Sequence, residues 1–348
     1  MFLFQDLKKA YFLSMELNAL NRFSRLEFKN GKSLHNRVVV PPMASETADE
    51  DGFATEKTIS HYSNLAKSRA GLIMVEYTYT HSTGRSEVNQ LGIQSDAHIL
   101  GLQQIVKVIH ASGALAGIQL THAGGKTNRT LTGGHLMAPS QVPVPVKDQV
   151  METPDAMSTQ DIQLWKTSFI DAAKRAQRAG FDFIEFHAAH GYGLNQWLSP
   201  LTNRRADSYG GSLINNSRLL FEIIEDVRRY HSTLLLAVRM PGQDFLEGGL
   251  KVKDTVWIAK RLETLGIDLI DVSSGIGGWR RPRDRSGEGY LISEAAMIQK
   301  AVAIPVIGVG GIEQGSYIDD ALSTHKISLA AVGRAILKEP EAWGTRNL

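Results

Sequence analysis

Two histidines and a tyrosine share the short stretch His187-Ala188-Ala189-His190-Gly191-Tyr192. Imidazole donates hydrogen bonds near neutral pH, so a pair of them can hold one substrate carbonyl oxygen and draw electron density from a bond conjugated to it. A phenol beside them can protonate the neighbouring carbon. The plainer reading has one histidine buried and satisfied and Tyr192 merely packing. A third imidazole, His122, could join the pair around a metal ion. It lacks a matched carboxylate ligand and zinc-type spacing, and no metal is expected.

Two further patterns bear charge or bind it. Gly308-Val309-Gly310-Gly311 and Gly333-Arg334 each follow an apolar run, and exposed N–H groups beside a fixed cation suit a phosphate. Glycines of this kind also serve simply to tighten turns. The run Trp279-Arg280-Arg281-Pro282-Arg283-Asp284-Arg285 could grip an anionic substrate or the extra phosphate of NADPH, or form a solvated rim.

The elements that must position these residues repeat. A helical stretch, a glycine and a short β-prone apolar run recur at Gly71, Gly113, Gly180 and Gly266, and glycine there is read as the left-handed residue that ends a helix. With the runs Val38 to Pro42, Leu234 to Met240, Ile304 to Val309 and Ile327 to Val332, the pattern predicts eight strands, with room for a helix in each gap. Two helices are legible in detail. One follows a Ser158/Asp161 capping box and carries Ile162, Trp165, Phe169, Ala173 and Ala176 on one face; the other follows Ser212. No linker interrupts the units, so the expected fold is α/β, a single closed (β/α)8 barrel over residues 22–348 with an N-terminal extension at 1–21. Unusually long loops are expected after strand three (Ala123 to Met157) and strand four (Ala188 to Gly211), on the face where barrels do chemistry.

Composition narrows the function classes. The 348 residues carry 38 Lys and Arg against 36 Asp and Glu, a net charge of +2, which favours neither nucleic acid nor a membrane as partner. No apolar run approaches the roughly 20 residues of a membrane span. With no cysteine there are no disulfides, thiolate nucleophiles or cysteine-ligated iron-sulfur clusters, and a cytoplasmic location is expected.

The block from His187 to Tyr192, with Asn195, Ser199-Pro200-Leu201-Thr202-Asn203 and Asp207-Ser208-Tyr209-Gly210-Gly211-Ser212, resembles the Old Yellow Enzyme family of flavin oxidoreductases. The resemblance runs from about Arg22 to Trp343, takes in Asn36-Arg37-Val38, Pro42-Met43, Gly117-Ile118-Gln119-Leu120 and Val332-Gly333-Arg334, and is closest to the thermophilic-like branch. It implies a TIM barrel holding FMN non-covalently, reduced by NADPH or NADH, and the reduction of α,β-unsaturated carbonyl compounds or related activated alkenes in a ping-pong cycle. No separate dinucleotide fingerprint is present, in keeping with a nicotinamide that visits the flavin and leaves.

By resemblance, Pro41, Pro42, Met43, Ala44 and the Tyr77 backbone lie along the flavin ring. Gln119 meets its pyrimidine edge and Arg239 the part that becomes negative on reduction. Gly310, Gly311, Gly333 and Arg334 take the phosphate. His187 and His190 bind the substrate oxygen, Tyr192 delivers the proton, and Glu46 stands at a substrate-contacting position; Trp279 and Arg280 are expected to face the substrate because their loop after strand six should overhang the mouth. Ala44 and Glu46 depart from that branch, which usually has a cysteine and a tyrosine there, so the resemblance does not carry over its redox tuning or substrate range. Dimers or tetramers are implied by analogy. A flavin-free phosphate-binding barrel, an isomerase or Schiff-base aldolase, is the alternative; it needs a base or lysine at a strand end, and Lys126 sits only in a following loop.

Overall fold

Eight parallel strands close into a barrel in chain order. They are β1 (Val38–Val40), β2 (Leu72–Tyr79), β3 (Leu115–Thr121), β4 (Phe183–His187), β5 (Leu235–Pro241), β6 (Leu269–Ser273), β7 (Val306–Gly308) and β8 (Leu329–Ala331). The computed structural model describes residues 20–231 and 233–348, so nearly all of the segment expected to extend before the barrel lies outside the described residues. Around the barrel run helices α1 (Glu56–Ala66), α2 (Ile99–His110), α3 (Thr159–Ala179), α4 (Gly193–Leu198), α5 (Leu213–Tyr230), α6 (Val252–Thr264), α7 (Ile292–Gln299), α8 (Gly315–Ser323), α9 (Arg334–Lys338) and α10 (Pro340–Asn347).

Strand alternation builds two cores. Outward residues such as Ile73, Val75, Ile118, Ile184, Leu236 and Val238 pack against the apolar faces of the helices. Inward residues Val39, Leu72, Met74, Phe183, Leu235, Ala237, Leu269, Ile307, Leu329 and Ala331 fill the lower barrel. An antiparallel hairpin, Leu26–Glu27 with Ser33–Leu34, lays Phe28 and Leu34 against this inner core. Phe28 meets Phe183 edge-on at 5.0 Å, closing that end of the barrel.

The predicted caps are present. Ser158 and Asp161 exchange side-chain and backbone hydrogen bonds at the start of α3, and Ser212 Oγ accepts from Asn215 N at the start of α5. Gly113, Gly180 and Gly266 turn helix into strand at φ 82°, 93° and 83°. The junction before β2 differs: Arg69, at φ 60°, takes the left-handed position instead of Gly71. Gly71 is small for a packing reason, because a Cβ there would lie 2.7 Å from the Asn36 carbonyl oxygen.

Both long connections leave carboxyl ends of strands, as expected, but neither is unstructured. Met137–Ala138 and Asp155–Ala156 pair in parallel within the first. The second contains α4, whose residues are all buried.

Candidate active site

Above the apolar layers the inward positions change character. Gln119 sits beside Glu185, and Asp271 beside Arg239, in register on neighbouring strands. All are buried. Gln119 Nε2 donates to Glu185 Oε1 at 2.8 Å, which turns the amide oxygen into its accepting end. Arg239 Nε lies 3.1 Å from Asp271 Oδ2, a charge contact without hydrogen-bond alignment. Burial raises the pKa of Glu185, with the Asp271 charge adding to it, and burial likewise raises Asp271. Glu185 Oε2, Asp271 Oδ1 and Arg239 Nε have no hydrogen-bond partner among the described residues. Buried polar atoms are costly unless paired, so this layer reads as the floor of a site built to face a polar molecule.

β4 delivers His187 at its last residue, and the chain then turns sharply. His190 adopts φ 61° and Gly191 φ 77°, with the Gly191 position only 2.7 Å from the Ile276 carbonyl for any added Cβ. A left-handed histidine is strained, and such strain gathers at functional sites. The two imidazoles stand nearly perpendicular, 5.1 Å between centroids. His190 Nε2 is bound to Ser273 Oγ at 2.6 Å, while His187 Nδ1 is buried with no hydrogen-bond partner among the described residues. Burial, then the Arg239 charge, holds both histidines well below the usual range, so each is neutral and keeps one N–H. The Tyr192 ring lies 4.7 Å from His187 and 5.3 Å from Tyr77, which a β2 bulge brings into register with Gln119. Burial pushes the Tyr192 phenol up to about 12, against hydrogen bonds from Ser86 and Tyr77, so it holds its proton.

Lys126, read from sequence only as a residue of the loop after strand three and given no role beside the histidines, belongs to this site. Its Nζ donates to the His190 carbonyl at 2.8 Å and sits 4.2 Å from the Tyr192 ring centroid. Burial lowers its pKa to about 8, and Glu87 draws it partly back. His122 lies elsewhere: its ring packs 4.0 Å from Trp165 and its Nε2 meets Thr83 Oγ1 at 3.0 Å. No group of three His, Asp or Glu suited to a metal occurs among the described residues.

The glycine-rich ends of β7 and β8 meet as expected. Gly310 and Gly311 have φ 137° and 65°, and a Cβ on Gly310 would strike the Tyr290 and Leu291 amide nitrogens at 2.6 and 2.9 Å. Arg334 Nη2 lies 3.6 Å from the Gly311 Cβ direction, and Gly333 faces Met43 Sδ and Pro41 Cγ at 3.3 and 3.4 Å. Hence the Pro41 to Ala44 segment, the glycines and Arg334 share one corner. Glu76 shapes that segment by accepting from Ser45 N at 3.0 Å and from Tyr62 Oη at 3.1 Å. A cradle no side chain can enter, a cation beside it, and a polar floor with unfilled partners fit a phosphorylated, polar-edged ring such as FMN.

The remaining predicted residues stand at the rim. Ala44 and Glu46 are exposed, Glu46 in a left-handed backbone at φ 51°. Trp279 is 64% exposed, and Arg280 is paired with Asp148 at 2.6 Å.

Comparison with known proteins agrees with this geometry. Residues 22–345 match the NADH:flavin oxidoreductase / NADH oxidase family. The NADPH dehydrogenase of Geobacillus thermodenitrificans is 40% identical over 311 residues, 89% of each chain. That of Bacillus subtilis is 37% identical over 309 residues, 88% of this chain and 89% of its own. Morphinone reductase superposes with a TM-score of 0.80 at 25% identity, covering 94% of this chain and 91% of the other. The Old Yellow Enzyme homologue from Zymomonas mobilis gives 0.79 at 25% identity, covering 92% and 91%. The chain belongs to the NADH:flavin oxidoreductase / NADH oxidase family, that of the Old Yellow Enzymes, as an FMN-dependent oxidoreductase that uses NAD(P)H as reductant.

Proposed function

We propose that the protein reduces the C=C bond of activated alkenes, chiefly α,β-unsaturated carbonyl compounds. The observation that supports this most directly is the neutral, perpendicular His187/His190 pair with an unpartnered buried nitrogen, beside a protonated Tyr192. FMN, when bound, supplies the hydride relay from NAD(P)H to the alkene. Pro41, Pro42, Met43, Ala44 and Tyr77 would line its ring, Gln119 and Arg239 its polar edge, and Gly310, Gly311, Gly333 and Arg334 its phosphate. His187 and His190 donate to the carbonyl oxygen and stabilise the negative charge that grows there as the β-carbon accepts hydride. Tyr192 gives its proton to the α-carbon and regains one from water. The Lys126 ammonium over the ring steadies the transient phenolate. Glu46, Trp279 and Arg280 meet the more distant parts of the substrate. We place the enzyme in the cytoplasm as a homodimer or homotetramer, a state that light scattering measures.

The family match leaves no support for the flavin-free isomerase or aldolase, even though the structure does bring Lys126 to the mouth. The deciding test is the visible spectrum of the purified protein, followed by turnover of 2-cyclohexenone by H187A/H190A. We expect a yellow protein, and a double variant that retains flavin but loses on the order of 10²-fold or more in enone reduction. Undiminished turnover would remove the histidines from the mechanism, and a protein that stays colourless with added FMN would remove the flavin.

A further inference from the structure

The connection from β6 to α7 forms one wall of a groove of about 730 Å³, with Pro145 and Lys147 of the β3 loop opposite. Five cations line it, Lys147, Arg280, Arg281, Arg283 and Arg285, against two carboxylates, Asp244 and Asp284. Their existing contacts separate structural charges from available ones. Arg280 is paired with Asp148 across the groove, and Arg285 with Glu294 at 2.6 Å. Asp244 is spent, accepting from Ser199 Oγ, Leu250 N and Ile276 N at 2.6, 2.8 and 2.9 Å. Lys147, Arg281 and Arg283 are exposed and make no ion pair among the described residues. So two pairs brace the walls, and three cations are left facing solvent across the same groove.

The groove adjoins the backbone of the catalytic pair. Ser274 lines it, and the Ser274 carbonyl accepts from His190 N at 3.2 Å. At the far end of the loop, Arg281 lies 5.9 Å from the centroid of Tyr290, whose ring borders Gly311 in the phosphate corner. A molecule reacting at His187 and His190 therefore has a cationic channel in which to lay a tail. Guanidinium groups bind phosphate oxygens in a fork, and the exposed Trp279 indole offers a face on which a base can stack. One carboxylate would need one arginine. Three dispersed cations in the groove, with the Trp279 indole exposed on the same loop, match a ligand with several phosphates and a base.

We infer that this groove is a binding site for the phosphate-bearing nucleotide part of a reactant, with Arg281, Arg283 and Lys147 as its anion contacts. The inference rests on the reductase reading given above for its choice of reactants. The same chemistry has two sources: the adenosine phosphates of NADPH, or the nucleotide of an enoyl thioester of coenzyme A.

The test compares the flavin-loaded full chain with R281Q/R283Q, using adenosine 2′,5′-bisphosphate as the calorimetric probe. The probe should bind the parent and bind the variant about tenfold more weakly, a loss of about 1.4 kcal/mol. In stopped-flow reduction the half-saturating NADPH concentration should rise by a similar factor, with the limiting rate and the turnover of neutral 2-cyclohexenone within twofold. A loss confined to crotonyl-CoA assigns the groove to the substrate and sustains the site. Equal probe binding by parent and variant, or none by a yellow protein, overturns it. The single variant R283E, at an exposed side chain, must weaken the probe in the same direction. Should the protein prove colourless, the reductase reading fails, while the probe titration still decides the groove.

Discussion

Lys126 carries an amine into the mouth against both the His190 carbonyl and the Tyr192 ring, and its protonation decides whether that spot is charged. Burial lowers its pKa from the usual 10.5 to about 8, so the ammonium is lost as pH rises through about 8. Because the unfolded amine keeps its proton up to 10.5, the unfolded state binds more protons between these values. The cost of burying the charge is therefore full below pH 8 and is relieved as pH climbs towards 10.5. Activity should run the other way, since the Tyr192 phenolate loses its cation. We expect enone-dependent reoxidation to fall above pH about 8 and the K126M variant to be slower but flat across that range. An unchanged alkaline fall in K126M would assign that limb to another group. Sequence pointed to His187, His190, Tyr192, Gln119, Arg239 and the glycines because their spacing is local or sits at strand ends. Lys126 was illegible, since its approach depends on how a long connection folds back over another strand. Glu185 and Asp271 did leave a signal: each interrupts an apolar strand at an inward position, two residues before His187 and Ser273.

At the scale of elements, the strand and helix pattern was read correctly because alternation, capping boxes and helix-ending glycines are short-range devices. The exception at Gly71 is instructive. A glycine at the same place in a repeat was needed for its missing side chain beside Asn36, while Arg69 took the unusual backbone. Contact across the fold, not local conformation, selected it. Gly310 meets both demands at once, with φ 137° and the Tyr290 and Leu291 amides in the way of any Cβ. Substituting alanine should strain the turn by about 1 to 3 kcal/mol and weaken FMN retention roughly tenfold or more. Flavin-to-protein absorbance ratios after dialysis check this, and a fully loaded G310A would show that the phosphate lies elsewhere.

Over the whole molecule, the barrel divides its labour along its axis. Phe28, Leu34 and Phe183 fill the lower end, whereas the inward ionisable residues Glu185, Arg239 and Asp271 sit nearer the carboxyl ends of the strands. Phe28→Ala should therefore cost about 3 kcal/mol of stability by opening a cavity, with the visible spectrum and enone turnover at ambient temperature unaltered. A chemical denaturation curve measures the first and routine assays the second; lost activity in a folded F28A would mean the ends are coupled. Among the described residues, that hydrophobic stopper leaves the carboxyl end of the barrel as the doorway to the polar interior. On the reductase reading proposed above, reductant and alkene enter through it one after the other, so each, in large excess, should obstruct the half of the cycle that belongs to its rival. Such an enzyme should be throttled by abundance on either side and run fastest when neither visitor crowds the threshold.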